Sequence, residues 1–372
     1  MKILITGDLV INRSYNTSDK IHKRIIDLFS GSDYNIVNLE APITDSESKI
    51  IKTGPHLKSD EKSTLDVLKT LNIHIAALAN NHIKDYDQKG VIDTIEWCKS
   101  NNILSVGAGK NLKYASKPLI LDTKEGKISI INIAENEWAS ADSHSAGANG
   151  MNLIKDIKQI QNAKQESDFV FVIVHGGHEY YSLPSPRMQD QYRFYIDQGA
   201  DLVVGHHTHA LSGYEIYNNS PIYYSLGNFL FTQDSTYDAW YKGLILEIII
   251  EDGLLKHSVH PIKQTSTTFE LDLCQEREKE YILNQILSYN SIINDEKILN
   301  DNWEQFAKVK YNTYLNYWSP TNFIKSKYFN GLKNKLKINL TNKRSLTLYS
   351  NLIRCESHYD LSKAIIKKRI EE

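Results

Sequence analysis

Over the first 260 residues, short runs rich in β-branched residues alternate with amphipathic stretches. That alternation is expected where strands are joined by helices packed across a sheet. The apolar runs predict strands over Lys2–Thr6, Tyr34–Leu39, His74–Ala79, Ile128–Ala134, Phe169–Val174, Asp201–Val204, Ile222–Ser225 and Leu244–Ile250. Apolar residues at helical spacing predict helices over Lys20–Phe29, Lys62–Leu71, Lys89–Ser100, Ile154–Gln165 and Gln189–Gln198. After about residue 265 the texture shifts to longer polar helical stretches, Gln275–Ser288 and Asp301–Tyr317, with a break at Ser319-Pro320. The expectation is an α/β domain over residues 1–265 followed by a helical, basic extension over 266–372.

The net charge of −2 shows no basic bias over the whole chain, so no nucleic-acid partner is expected. The charge is unevenly placed, however: from Glu304 to Glu372 there are 14 Lys/Arg against 5 Asp/Glu. This tail reads first as a solvated helical cap, and second as a docking surface for an acidic partner or membrane face. Cys98, Cys274 and Cys355 are too scattered for a disulfide framework and read as reduced structural thiols. Met1-Lys2 leads straight into an apolar run without a signal-peptide pattern. The strongest apolar run, Leu244–Ile250, is interrupted by Glu247 and falls far short of the roughly 20 residues that span a bilayer. The expectation is a cytoplasmic protein with no transmembrane segment.

Polar clusters follow directly on several strand ends: Gly7-Asp8, Asn38-Leu39-Glu40, Asn80-Asn81-His82, His175-Gly176-Gly177 and His206-His207-Thr208-His209. In open α/β sheets that edge is where ligands bind. Asp8, Glu40, Asn81, His175, His207 and His209 together supply two carboxylates, one amide oxygen and three imidazoles. Lacking a thiolate, such a set suits Mn²⁺, Zn²⁺ or Fe²⁺. A bridging carboxylate can hold two such ions roughly 3.5–4 Å apart, where they clamp a phosphoryl oxygen and activate water. On an extended segment, His207 and His209 would point to one side. His82 is placed to work as a general acid or as a transition-state hydrogen-bond donor.

The joint order of Asp8, Glu40, Asn81-His82, His175 and His207-Thr208-His209 resembles the calcineurin-like metallophosphoesterase pattern. The wording is closer to the poly-γ-glutamate capsule synthesis (CapA/PgsA) family. The phrases are Asn38-Leu39-Glu40-Ala41-Pro42, Leu78-Ala79-Asn80-Asn81-His82, His175-Gly176-Gly177-His178-Glu179-Tyr180, Gly199 to His209, and Tyr224-Ser225-Leu226-Gly227-Asn228-Phe229. The resemblance implies a four-layer αββα sandwich and two divalent metal ions. Asp8 and His209 would bind one, Asn81, His175 and His207 the other, with Glu40 bridging and His82 beside the scissile phosphate.

Two departures stand out. Val10 occupies the position where the phosphoesterase pattern carries a His, and Glu40 replaces its bridging Asp. Asn12 and His178 are the candidates to supply the missing ligand. His178, Glu179 and Asn228 are expected to shape the substrate pocket. His206 is expected to be a structural neighbour, and His22, His56, His74, His144, His257, His260 and His358 are not expected to be ligands. The implied function is a metal-dependent hydrolase acting on a phosphate ester or related precursor in capsule or poly-γ-glutamate-type biosynthesis. Its substrate would be a small molecule or polymer bearing phosphate or carboxylate. The alternative is a non-catalytic accessory protein that binds polymer, precursor or a synthase partner.

Overall fold

The computed structural model describes residues 1–318 and 343–372; the predicted break at Ser319-Pro320 lies outside them. Strands β1 (Lys2–Val10), β2 (Tyr34–Leu39), β3 (Ile75–Ala77) and β4 (Leu104–Val106) run parallel, each returned to the next by a helix. A small ribbon pairs β5 (Ala108–Gly109) with β8 (Gly147–Ala148). The remaining strands are β6 (Leu119–Thr123), β7 (Gly126–Ala134), β9 (Phe169–His175), β10 (Leu202–His206), β11 (Tyr214–Tyr217), β12 (Ser220–Tyr223), β13 (Asn228–Phe231), β14 (Lys242–Glu251), β15 (Leu254–Gln264) and β16 (Leu271–Leu273). One sheet has the order β16-β15-β14-β1-β2-β3-β4, with β13 beside the far half of β1. The other has the order β11-β12-β10-β9-β7-β6.

The period-2 pattern explains how these sheets stack. Ile3 and Ile5 of β1 face inward and meet Ile130, Phe171, Ile173 and Val204 of the second sheet. Leu4, with Val37 and Ala76, faces the other way, against Ile25, Phe29, Val67 and Val91 of the helices Lys23–Ser30, Glu61–Thr70 and Asp87–Ser100. On the far side, Ile131, Ile133, Val172 and Val174 pack against Ile160, Met188, Tyr192 and Tyr195 of the helices Leu153–Glu166 and Pro186–Asp197. Each fully buried aliphatic side chain contributes about 1.5–3 kcal/mol. The result is the expected αββα sandwich.

Some strands escaped the sequence pattern. β15 carries the polar run Lys256-His257-Ser258 because it flanks β14 near the sheet edge, half open to solvent. It forms because Asp252 and Gly253, at φ 51° and 74°, close a two-residue hairpin between Glu251 and Leu254.

The C-terminal helices are Glu276–Ile293, Glu296–Trp318, Lys343–Arg354 and Glu356–Glu371. The first starts exposed and lies against the sandwich, putting Ile282 and Ile286 into the inter-sheet core. The others build their own small core from Ala307, Tyr314, Leu352, Leu361 and Ile365. The last helix is tied to the sandwich by polar contacts. Arg187 bridges Asp360 and Glu135, and Asn136 holds the Glu356 carboxylate at 2.7 and 3.1 Å. Arg187→Ala would strand two mostly buried carboxylates, so a loss of about 3 kcal/mol in urea unfolding is expected. An unchanged midpoint would show that the helix does not depend on this bridge.

Candidate metal centre

All the predicted ligand side chains come from one edge, where the strands of both sheets end. Asp8 sits where the pairing of β1 slips, between Ile5 and Asp8 against β2 and between Asp8 and Leu9 against β13. Gly7 permits this, because a Cβ there would lie 1.9 Å from the Gly227 carbonyl oxygen. Glu40 follows β2 directly and His175 ends β9. In the loop after β3, Asn80 accepts from the backbone N–H groups of His82 (3.0 Å) and Ile83 (2.8 Å), and donates to the Leu39 carbonyl (2.8 Å). Asn80 thereby shapes the loop that presents Asn81 and His82.

The His-x-His segment differs from its expected form. β10 ends at His206, and His207 and His209 take φ of 90° and 52° instead of an extended conformation. Non-glycine residues pay strain in that region, which persists where surrounding structure holds them. The turn, not strand alternation, brings the two rings within 6.2 Å of each other. His206 is structural, with Nε2 2.8 Å from the Thr6 carbonyl.

Two groups of ligand atoms meet at Glu40. His175 Nε2 lies 3.0 Å from Asn81 Oδ1, 3.1 Å from His207 Nδ1 and 3.5 Å from Glu40 Oε1. Atoms held about 2.0–2.2 Å from a single ion stand roughly 3–3.5 Å apart, so this set fits one. On the other side, Asp8 Oδ2 is 3.3 Å from His209 Nδ1, and Glu40 Oε1 is 3.7 Å from His209 Nε2. Glu40 is 0 % exposed, and neither of its oxygens has a hydrogen-bond partner among the described residues. A carboxylate so placed calls for cations.

Asn38 donates to Asp8 Oδ1 at 2.6 Å and lies 3.1 Å from His175 Nδ1, a positioning role that its place in the Asn38-Leu39-Glu40 phrase does not announce. Asn228, expected in the substrate pocket, instead holds Oδ1 2.9 Å from His209 Nδ1 while its Nδ2 donates to the Trp240 carbonyl. Neither candidate for the missing ligand reaches the site. Asn12 is tied to Thr232, and His178 bonds the Ser357 carbonyl through Nε2. Val10 is buried among Ala41, Leu57, Phe231 and Trp240, an apolar wall in place of an imidazole.

The protons in this site are set by burial and by neighbours. Burial, then Asp8, push the Glu40 carboxyl well above its usual range. Burial alone would lower His209, but Glu40 and Asp8 outweigh it and hold the imidazole at about 10. Metal uptake would displace a proton from this coupled pair, so it is expected to release protons and to tighten as pH rises through neutrality. Calorimetry in buffers of different ionisation enthalpy measures this release. Uptake without it, or weaker uptake at higher pH, would contradict the assignment.

His82 has partners that no local motif announces. Its Nδ1 is 2.6 Å from Asp85 Oδ2, and the buried Lys52 bonds Asp85 while lying 3.1 Å from the same nitrogen. Burial, then the Lys52 charge, lower the His82 pKa, so the neutral ring keeps its Nδ1 proton toward Asp85 and leaves Nε2 for the site. Glu179 is exposed within a cavity beside His207. Glu137 Oε1 stands 3.5 Å from His207 Nε2, the arrangement that orients a ligand imidazole from behind. His358, expected to be solitary, is grouped with Glu137 and Cys355.

The model of the family described as "Bacterial capsule synthesis protein PGA_cap" matches residues 2–233, which hold every residue of this centre. The chain belongs to that family. Among curated relatives of this PGA_cap chain, "Capsule biosynthesis protein CapA" of Bacillus anthracis is 33% identical over 236 residues, covering 61% of this chain and 57% of its own length. "PGA biosynthesis protein CapA" of Bacillus subtilis (strain 168) is 33% identical over 242 residues, covering 62% and 63%. The chain therefore spans about three-fifths of the length of these relatives. Among solved structures, a "novel phosphatase" from Mycoplasma pneumoniae aligns with 71% of this chain and 93% of its own at 13% identity and a TM-score of 0.45. Among the described residues no helix is long and apolar enough to cross a membrane.

Proposed function

We propose that this PGA_cap protein is a metal-dependent hydrolase acting on a phosphate ester or related precursor in capsule or poly-γ-glutamate-type biosynthesis. One observation carries the reading: buried Glu40, with no hydrogen-bond partner among the described residues, stands between two separate groups of ligand atoms, Asp8 with His209 and Asn81 with His175 and His207. Two divalent ions, Mn²⁺, Zn²⁺ or Fe²⁺, would be held there, supplying charge at the phosphoryl oxygens and an activated water. The chain's own groups orient the reaction. Asn38 fixes Asp8, Glu137 steadies His207, and Asp85 with Lys52 fixes the ring of His82, whose Nε2 is left to manage a proton at the leaving oxygen. The names of the curated relatives, a capsule biosynthesis protein and a PGA biosynthesis protein, support a role in capsule-type biosynthesis; a small-molecule or polymer substrate and a synthase partner are part of the same proposal.

The test is hydrolysis of p-nitrophenyl phosphate and bis(p-nitrophenyl) phosphate with each of the three ions added. Metal-dependent turnover of at least one, abolished by a chelator, is expected. No turnover of either ester with any ion would sink the hydrolase reading.

Val10 favours a second reading, a non-catalytic accessory protein that binds polymer, precursor or a synthase. Its apolar surroundings leave Asp8, His209 and the shared Glu40 as the groups for the first ion. One bound ion and no turnover would select this alternative.

A further inference from the structure

A cavity of about 610 Å³ opens beside the metal centre, between its loops and the C-terminal helices. His178, Glu179 and His207 lie on its floor. Its roof carries Lys310 from the helix Glu296–Trp318, and Arg344 and Asn351 from the helix Lys343–Arg354. All three roof residues lie outside the segment matched by the family, which ends at residue 233. The roof is fixed to the floor rather than hinged. Ser357 holds His178 through its carbonyl at 2.9 Å, Glu356 is held by Asn136, and Phe306 stacks on Tyr181 with ring centroids 4.1 Å apart.

Two residues that line this cavity each carry a buried acceptor with no hydrogen-bond partner among the described residues: His178 Nδ1 and Asn351 Oδ1. These residues are 7 % and 3 % exposed. His178 Nε2 is already committed as donor to the Ser357 carbonyl, so Nδ1 is left to accept. Buried acceptors without donors are costly, and a ligand O–H or N–H would relieve both. Lys310 and Arg344 put positive charge on the roof, while Glu137 and Glu179 keep the side nearest His207 acidic. An anionic group is therefore drawn to the roof.

We propose that this cavity recognises the non-reacting part of the substrate, an anion that carries hydroxyl or amide N–H groups beside its charge. Lys310 and Arg344 hold the anion, and His178 Nδ1 and Asn351 Oδ1 accept from the neighbouring donors. The assignment rests on the hydrolase reading for what lies at the metal side, but its test does not need turnover.

Calorimetric titration of the metal-loaded full chain with triglutamate, and separately with glucose 6-phosphate, tells whether the charge recognised is carboxylate or phosphate. At least one of the two is expected to bind. In the Lys310→Ala/Arg344→Ala variant, affinity should fall about a hundredfold, roughly tenfold for each lost charge-assisted contact. Asn351→Ala should lose about fivefold. Both variants should keep the wild-type metal content and melting temperature. No binding of either probe by the wild type, or equal affinity in the double variant, overturns the proposal. Binding that obeys these expectations without turnover of the aryl esters would remove the catalytic reading and leave the recognition site standing.

Discussion

Replacing Glu40 with glutamine will weaken both metal positions at once and will make the metal-free protein more stable at neutral pH. The first effect follows from position, since Glu40 is the group common to the Asp8/His209 and His175/His207 sets. The second follows from protonation. Burial and Asp8 hold the Glu40 carboxyl in its neutral form well above the usual range. Below the unfolded value of about 4.3, folded and unfolded chains are both protonated and the group adds nothing. As pH rises beyond that value the unfolded chain ionises first, so the folded, metal-free protein loses stability until the folded pKa is passed. A glutamine amide at this position does not titrate and escapes this cost. Metal-free Glu40→Gln and wild type should therefore melt together near pH 4 and separate above it, the variant higher. Adding metal at 100 times its dissociation constant should stabilise the wild type by about 2.7 kcal/mol for each ion bound and the variant far less. Equal metal response in the two proteins would remove Glu40 from the centre.

His82→Gln will keep both ions and lose about 10²–10³-fold in turnover. His82 is next to Asn81 in sequence, yet its Nδ1 faces Asp85 and not the ligand set, so its loss should leave the ions in place. Asp85→Asn should cost less, since the ring remains but its proton position is no longer fixed by a carboxylate. Parallel loss of metal and activity in His82→Gln would make the residue a ligand, and unchanged turnover would remove it from the chemistry. The pair of measurements separates holding the ions from moving the proton.

Some of this could be read from the chain alone. β1, β2, β9 and β10 are runs of apolar residues long enough to declare themselves, and the chemistry lies at their ends in short phrases. Asp8, Glu40, Asn81, His175, His207 and His209 are legible because each is local to such an end. What joins them is not local. Lys52 reaches Asp85 and His82 from a loop some thirty residues earlier, with no motif of its own. Asn228 could be seen as part of a family-like phrase, but not that it would turn to His209. The left-handed backbone at His207 and His209 has no signature in a His-Thr-His tripeptide. The tail's basic charge was visible, while its place over the centre depends on contacts such as Ser357 with Glu135, which lie 222 residues apart.

The most direct measurement is metal content of the purified protein by elemental analysis, in the wild type and in His207→Ala and Asp8→Ala. A two-ion centre gives about two ions per wild-type chain, with each variant losing at least one. Full metal content in both variants would contradict it.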